Sequence, residues 1–405
     1  MQQTPKSLRL QIAILGRTNA GKSSFLNLVT GQQTAITSPQ PGTTTDVVEK
    51  AQELPPLGPV LWLDTAGFDD VTALAAQRLK KTYRTLDRAD VAVLVCTDTT
   101  LSPVEQQIIA ELTERKIPFI KVYNQINNFS NVPTDGTVVN ATDFTARDRV
   151  LNELTAALIK ICPEDYLQHT PLVGDLLPPD ATAVMIVPID YEAPKGRLIM
   201  PQVQAIRDCL DHNQNILVVK ENNYAAALKN FKTPPALVIC DSQVVDKMVA
   251  QTPPNIKCTT FSILMARFKG DLYKMTQGAA IINRLQNGDK VLIAESCTHH
   301  PMEDDIGRVK IPRWLQQKTG KTLDISHVCG CDFIPNLSEY KLVIQCGGCT
   351  INRREVLSRI QKCEAAGVAI TNYGVCISEL KGVLKRVLEP FGDIYQAYCT
   401  QINKP

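Results

Sequence analysis

The sequence predicts an α/β protein of three domains, in which a P-loop nucleotide-binding domain precedes two small domains with βαβ parallel sheets. The 405 residues are too many for one ordinary hydrophobic core. Short apolar runs, typical of buried strands, alternate with helical stretches. A phosphate-binding motif lies near the start of the chain, and cysteines cluster in its last third. We expect domains over residues 1–165, 166–268 and 269–405.

Composition limits the class of protein. Hydrophobic residues make up 44% of the chain and charged residues 21%, as in globular proteins. The formal net charge of +2 does not indicate the strongly basic surface that is typical of nucleic-acid binding. Apolar runs are too short to cross a membrane, and residues 1–6 contain no apolar signal core. We therefore expect a cytoplasmic protein without nucleic-acid or membrane partners, whose 13 cysteines are reduced, buried or metal-bound.

The first motif is a phosphate-binding loop between a strand and a helix. An apolar run ends in Gly-Arg-Thr-Asn-Ala-Gly-Lys-Ser at 16–23, and an apolar helical stretch follows. In this setting the glycines let backbone N–H groups close on phosphates. We expect Lys22 to reach the β- and γ-phosphates and Ser23 to ligate Mg²⁺. Further nucleotide contacts are predicted at Gly16, Asn19, Ala20, Gly21 and Ser24.

Two further motifs follow in the order that GTPases use. A polar loop contains Thr44, which we expect to complete the Mg²⁺ shell when a γ-phosphate is present. An apolar strand then ends in Asp-Thr-Ala-Gly at 64–67. Asp64 would hold Mg²⁺ through water, and the Gly67 N–H would contact the γ-phosphate. These two loops are the predicted switches, and their groups Thr44 and Gly67 act with Lys22 in catalysis.

The base-recognition segment departs from the usual Asn-Lys-x-Asp. An apolar strand ends in Asn124, Gln125, Ile126 and Asn127. Asn127 can accept a hydrogen bond from guanine only through its amide oxygen, whereas an aspartate accepts two. Ala141 lies in the loop that would make the last base contact. We interpret the nucleotide as GTP, with weaker discrimination of the base.

The loop Gly-Thr-Thr-x-Asp at 42–46 resembles that of the translational and tRNA-modification GTPases of the Era and MnmE type. Phe68 stands where Ras-like proteins carry a catalytic glutamine, so the resemblance implies slow hydrolysis. Asn19 matches the P-loop position at which such GTPases bind K⁺. A role for Asn19 in shaping the loop is the equal alternative.

The middle of the chain alternates strands and helices in a βαβ pattern without a phosphate loop, metal-ligand spacing or catalytic dyad. We interpret it as a scaffold or self-association module.

Cysteines follow two predicted strands of the last region. Cys297 comes after one apolar run, and Cys346 and Cys349 come after another. Sites in parallel sheets form at the carboxyl ends of strands, and thiolates suit Zn²⁺ or an iron–sulfur cluster. Three thiolates leave one coordination position open. A rival zinc ribbon would instead join Cys346 and Cys349 to Cys329 and Cys331.

This region resembles the HydF family, the GTPase maturases of FeFe-hydrogenase. The family pattern is Cys-x-His, a long gap and His-Cys-x-x-Cys, and this chain carries Gln345 where many members have histidine. Similarity at 193–207 extends the resemblance over nearly the whole chain. It implies a 4Fe–4S cluster on Cys297, Cys346 and Cys349 with an exchangeable fourth position. The candidates for the fourth ligand are water, His299, Glu303, Asp304 and Asp305.

The resemblance also implies a scaffold or carrier that forms a homodimer or larger oligomer. It would receive a di-iron precursor built with two radical-SAM maturases and deliver it to apo FeFe-hydrogenase. GTP binding would act as a switch on partner contacts. Two alternatives are an RNA-associated GTPase with a structural zinc module, and a metal-trafficking or structural protein whose nucleotide site is vestigial.

Overall fold

Parallel strands form most of the sheets in both compact units of the chain, Met1–His169 and Thr170–Pro405. The computed structural model describes residues 4–32, 47–69, 75–124, 134–163, 166, 171–188, 198–296, 305–330 and 336–402. Among the helices in these ranges, none is both long enough and apolar enough to cross a membrane.

The described part of the first unit contains a six-stranded sheet. Its strands are β1 (Leu10–Gly16), β2 (Val48–Leu54), β3 (Gly58–Asp64), β4 (Val91–Cys96), β5 (Phe119–Asn124) and β6 (Gly136–Val139). Their order is β2-β3-β1-β4-β5-β6, and only β2 pairs with its neighbour in an antiparallel way. The helices are α1 (Lys22–Thr30), α2 (Ala75–Arg88), α3 (Pro103–Glu114) and α4 (Arg147–Ile161).

Local chemistry explains these elements. Every residue of β1 and β4 is buried, as expected for central parallel strands that are covered on both faces. Helix α3 begins at a capping box in which the Glu105 N–H donates to Ser102 Oγ at 3.3 Å and Glu105 Oε2 accepts from the Ser102 N–H at 2.7 Å. Pro103 occupies the first helical position, where no backbone donor is needed.

The second unit contains two four-stranded parallel sheets. The strands are β7 (Thr182–Ile186), β8 (Asn215–Val219), β9 (Leu237–Cys240), β10 (Lys257–Thr260), β11 (Lys290–Glu295), β12 (Asp324–Cys329), β13 (Leu342–Gln345) and β14 (Ala369–Asn372). One sheet has the order β10-β9-β7-β8, and the other has the order β12-β11-β13-β14.

The helices of the second unit surround these sheets. They are α5 (Met200–Asp211), α6 (Tyr224–Lys229), α7 (Val245–Gln251), α8 (Phe261–Lys269), α9 (Leu272–Ala280), α10 (Ile311–Thr319), α11 (Arg353–Ala365), α12 (Tyr373–Leu380), α13 (Leu384–Leu388) and α14 (Gly392–Ile402). One π-helical turn, Ile306–Lys310, runs directly into α10.

Both four-stranded sheets contribute to one hydrophobic core. The same buried cluster includes Met185 and Ile239 from one sheet and Ile293 and Ile344 from the other. Helix α8 follows the first sheet, and Asn372 Nδ2 at the end of β14 donates to its Ser262 carbonyl at 3.1 Å. The predicted α/β class is confirmed. The three domain boundaries stay a prediction.

Helix α9 packs on β14 so closely that its Gly278 has no room for a side chain. A Cβ built there would lie 1.9 Å from the Ile370 carbonyl oxygen. The contacting atom belongs to the backbone of a strand that is paired with β13, so it cannot rotate away as a side chain could. Glycine at this position therefore sets the distance between helix and sheet.

We predict that Gly278→Ala destabilises the second unit. Overpacking costs about 1–3 kcal/mol, and we expect the upper end because the clash is with backbone. The thermal midpoint should fall by roughly 5–10 °C for a unit of this size. Gly392→Ala is the control, because a Cβ there meets no atom within 4 Å. Equal midpoints for the two variants in a thermal scan would contradict this account of the packing.

Candidate nucleotide site and cysteine centre

The loop between β1 and α1 has the backbone of a phosphate-binding loop. Gly21 and Asn19 have left-handed conformations, with φ of 88° and 61°. A Cβ on Gly16 would lie 2.5 Å from the Val95 carbonyl oxygen, and a Cβ on Gly21 would lie 2.1 Å from Asn124 Nδ2. The two glycines therefore allow the loop to pass between neighbouring strands.

Lys22 lies over this loop. Its side chain is buried, and Nζ donates to the Arg17 carbonyl at 2.6 Å and to the Gly16 carbonyl at 3.3 Å. Burial lowers the pKa of Lys22, although Asp64 and Asp69 act in the opposite direction. The ammonium group is thus held by the loop's own carbonyls at the position from which a P-loop lysine reaches phosphate oxygens.

Ser23 and Asp64 form the predicted Mg²⁺ site. Ser23 Oγ donates to Asp64 Oδ2 at 2.6 Å, and Asp64 is fully buried at the end of β3. Burial raises the pKa of Asp64, and the Ser23 hydrogen bond and Lys22 oppose that rise. Asp64 Oδ1 has no hydrogen-bond partner among the described residues. A buried carboxylate oxygen without a donor, beside a hydroxyl, fits a hard cation such as Mg²⁺.

The segment after β3 touches the P-loop directly. A Cβ on Gly67 would lie 2.3 Å from Thr18 Oγ1 and 2.5 Å from the Thr18 nitrogen. The Thr18 N–H donates to Asp69 Oδ1 at 2.6 Å. The sequence analysis missed Asp69. Its position, two residues after the Asp-Thr-Ala-Gly motif, could have indicated a contact with the P-loop. The predicted switch residue Gly67 is therefore brought against the loop that holds Lys22.

Asn124 joins the P-loop to the loop after β6. Its Nδ2 donates to the Ala20 carbonyl at 3.1 Å, and its Oδ1 accepts from the Ala141 N–H at 3.1 Å. These predicted nucleotide contacts thus lie together, with Ser24 in the first turn of α1. The other predicted contacts, Thr44 and Asn127, lie outside the described residues.

Cys346 and Cys349 lie in the loop after β13, at the carboxyl edge of the second unit's last sheet. The Ser296 N–H donates to Cys346 Sγ at 3.2 Å, and Cys346 Sγ lies 3.4 Å from Ser296 Oγ. Burial and Cys346 raise the pKa of the Cys349 thiol, while Lys269 lowers it. Burial also lowers the pKa of Lys269 to about 8. Two thiols, one with an amide donor, fit a metal centre that takes sulfur ligands.

Strand register brings further residues to this edge of the sheet. Glu295 pairs with Cys329, and one position earlier Ala294 pairs with Gln345. Cys329 Sγ lies 3.4 Å from Glu295 Oε2, and Tyr373 OH donates to Glu295 Oε1 at 3.1 Å. Burial and the Glu295 carboxylate raise the pKa of Tyr373. Glu295 was missed, although its position at the end of a strand was an available signal.

The predicted fourth ligands are divided between described and undescribed parts of the chain. Asp305 is buried, and its Oδ1 accepts from the Arg308 N–H at 2.7 Å, so it caps the π-helical turn. The predicted ligand Cys297, the rival ligand Cys331 and the fourth-ligand candidates His299, Glu303 and Asp304 lie outside the described residues. Within the described ranges, no three His, Cys, Asp or Glu side chains gather as a metal ion requires.

Comparison with protein families matches three segments of the chain. The hydrogen maturase F dimerization domain matches residues 172–270, and the hydrogen maturase F tetramerization domain matches residues 273–390. The 50S ribosome-binding GTPase family matches residues 11–125. The third match contains the P-loop and the Asp64–Gly67 motif.

Curated relatives that are GTPases match part of the chain. The tRNA modification GTPase MnmE of Hydrogenovibrio crunogenus is 32% identical over 126 residues, which are 31% of this chain and 28% of the relative. GTPase Der of Wolinella succinogenes is 27% identical over 176 residues, 43% of this chain and 33% of the relative. The chain thus spans about a third or less of these relatives.

Among solved structures, Era of Aquifex aeolicus bound to GDP and AlF₄⁻ is 18% identical to this chain. The match covers 55% of this chain and 98% of that one, with a TM-score of 0.33. Overall similarity at this level is too low to support a conclusion.

The family matches agree with the geometry of both regions. The GTPase family covers the P-loop, the Ser23–Asp64 pair and Asn124, so the first unit binds GTP with Mg²⁺ and hydrolyses it. The hydrogen maturase F domains cover the second unit from residue 172 to residue 390 with a two-residue gap, and they indicate a homo-oligomer. The chain belongs to the HydF family of hydrogenase maturation GTPases.

Proposed function

We propose that this GTPase is a scaffold or carrier that holds a 4Fe–4S cluster and delivers the di-iron precursor of the H-cluster to apo FeFe-hydrogenase. The observation that carries the proposal is the pair of thiols, Cys346 and Cys349, at the carboxyl edge of the last sheet. Two radical-SAM maturases would supply the precursor. GTP binding would act as the switch on these partner contacts.

The hydrogen bond from Ser296 to Cys346 supports a three-cysteine site. Ser296 immediately precedes Cys297, and its N–H lies 3.2 Å from the Cys346 sulfur. The residue directly before Cys297, the third proposed ligand, therefore contacts Cys346, the first proposed ligand. Such N–H···S bonds stabilise thiolate ligands and help to set the reduction potential of iron–sulfur clusters. A bound 4Fe–4S cluster would supply redox-active iron with an exchangeable position.

The fourth cluster position is proposed to be filled by an exchangeable ligand, which is water or one of His299, Glu303, Asp304 and Asp305. Gln345 replaces the histidine of many family members, and its buried Oε1 has no hydrogen-bond partner among the described residues. Of the carboxylates in the acidic run, Asp305 already caps a helical turn. His299, Glu303 and Asp304 lie outside the described residues and stay candidates from the sequence alone.

We predict that Cys346→Ser and Cys349→Ser abolish the delivery function while GTP turnover is unchanged. Each variant would be produced with both radical-SAM maturases, purified without oxygen and mixed with apo FeFe-hydrogenase, with H₂ evolution as the readout. The control is Cys399→Ser on α14, a partly exposed cysteine remote in sequence from the proposed ligands. Full hydrogenase activation by the Cys346 or Cys349 variant would contradict the proposed carrier site.

We propose K⁺ as an activator of hydrolysis, bound with the help of Asn19. The left-handed backbone of Asn19 turns the P-loop beside Lys22, where a monovalent cation can offset phosphate charge. GTP turnover should be several-fold faster in K⁺ than in Na⁺ at equal ionic strength, and Asn19→Ala should remove the difference. Equal wild-type rates in the two salts would exclude this role and leave Asn19 as a loop-shaping residue.

We propose that the homo-oligomer forms through β8, the edge strand of the sheet in the segment matched by the dimerization domain. Leu217 and Val218 are 36% and 43% exposed on this strand, and Leu210 is 58% exposed on the preceding helix α5. The opposite edge strand, β10, is mostly buried. An exposed apolar edge offers unpaired backbone groups to a second copy of the chain.

We predict that replacing both Leu217 and Val218 by lysine shifts the chain towards monomer, because two charges on an edge strand oppose pairing with another strand. Light scattering after size-exclusion chromatography measures the mass. The control Phe144→Lys changes a 43%-exposed apolar side chain in the GTPase unit. An unchanged mass for the double variant would place the interface elsewhere.

A further inference from the structure

The end of helix α8 is tied to the cysteine loop by a buried lysine. Lys269 is the last residue of α8 and is only 2% exposed. Its Nζ donates to the carbonyl oxygens of Gly348 at 3.0 Å, Cys349 at 3.4 Å and Ile351 at 2.8 Å. An ammonium group has three donors and no acceptor, so these carbonyls match its hydrogen-bonding capacity.

Hydrogen bonds also run in the opposite direction, from the helix after the cysteine loop to the end of α8. Arg353, the first residue of α11, donates through NH1 to the carbonyl oxygens of Phe268 and Gly270, both at 3.1 Å. Each of these residues is a neighbour of Lys269 in the chain. The cysteine loop thus receives hydrogen bonds from the end of α8 and returns hydrogen bonds to it through the helix that follows the loop.

The shape of the loop explains why it needs such a partner. Gly348 has a φ of 63°, a left-handed conformation that turns the chain sharply between the two cysteines. The carbonyls after this turn belong to no strand, and buried carbonyls without donors are costly. A solvent-excluded lysine satisfies them together, and it places its charge beside both thiols.

We propose that Lys269 is a positioning residue that locks the Cys346–Cys349 loop in its ligand-presenting shape, with Arg353 as its counterpart. Lys269 lies in the segment matched by the dimerization domain, whereas the loop lies in the segment matched by the tetramerization domain. The cysteine site therefore depends on a residue from the preceding module. The effect on the cluster rests on the proposed function, whereas the locking of the loop does not.

The first test uses the full-length protein without a cluster. Lys269→Met keeps the length of the side chain and removes its donors and charge. Amide exchange over residues 346–353 should accelerate. Alkylation of Cys346 and Cys349 by iodoacetamide, followed by mass spectrometry, should become at least tenfold faster, because the greater exposure of both sulfurs outweighs the loss of the Lys269 charge that lowers the pKa of Cys349. Lys269→Arg should restore slow alkylation.

Lys274→Met is the matched control, because it removes an exposed lysine that pairs with Glu364 of α11. Wild-type alkylation and exchange rates in Lys269→Met would overturn the proposal.

The second test uses the protein after anaerobic cluster reconstitution. Loss of the positive charge should disfavour the reduced cluster about tenfold in Lys269→Met, which is about 59 mV in midpoint potential for one electron. Lys269→Arg should keep the wild-type potential.

A wild-type protein that binds no cluster would refute the proposed function, and the alkylation rates would still decide whether Lys269 locks the loop. If Lys269→Met does not fold, Arg353→Met should show the same accelerated alkylation, and wild-type rates in that variant would refute the lock.

Discussion

Both sites depend on one constraint, namely that the carboxyl ends of neighbouring parallel strands meet at one edge of a sheet. In the first unit, the P-loop follows β1, Asp64 ends β3 and Asn124 ends β5. In the second unit, Glu295 ends β11, Cys329 ends β12 and the cysteine loop follows β13. Pairing satisfies the polar backbone groups inside the sheet, so the strands can bury apolar side chains there. Polar groups are carried at the strand ends. The chemistry of the chain is concentrated at these two edges.

Buried charges at both edges are hydrogen-bonded, because ions without partners in a protein interior are too costly to persist. Lys22 is held by loop carbonyls near Asp64, and Asp64 accepts from Ser23. Lys269 is held in the same manner by the carbonyls of the cysteine loop. In each case a buried lysine donates hydrogen bonds to backbone carbonyls of the loop that carries the site. The two sites use the same physical arrangement for different ligands.

Much of the nucleotide site could be predicted from the sequence because its motifs are local. Gly16 to Ser23 form one continuous loop, and Asp64 directly ends an apolar strand. In the structure Ser23 contacts Asp64 and Asn124 contacts Ala141, while their roles in nucleotide binding stay a prediction. Asp69 was missed because its bond to Thr18 depends on the course of the segment after β3, which no local pattern fixes.

The cysteine centre could be predicted only in part, since its other groups arrive through register and tertiary packing. The spacing of Cys346 and Cys349 indicated a metal site, but Glu295 and Tyr373 join them through the alignment of separate strands. Lys269 is 79 residues from Gly348 in sequence and lies in a different family-matched segment. A buried lysine at a helix end gives no sequence signal that separates it from a surface lysine.

The central claim is that one chain combines a GTPase with an iron–sulfur centre on cysteines at a sheet edge. Chemical analysis of the wild-type protein, purified without oxygen, tests it most directly, with iron, acid-labile sulfide and zinc measured per chain. The account predicts about four iron atoms and about four sulfides per chain, with a brown visible spectrum. A colourless protein that contains zinc and no sulfide would contradict it.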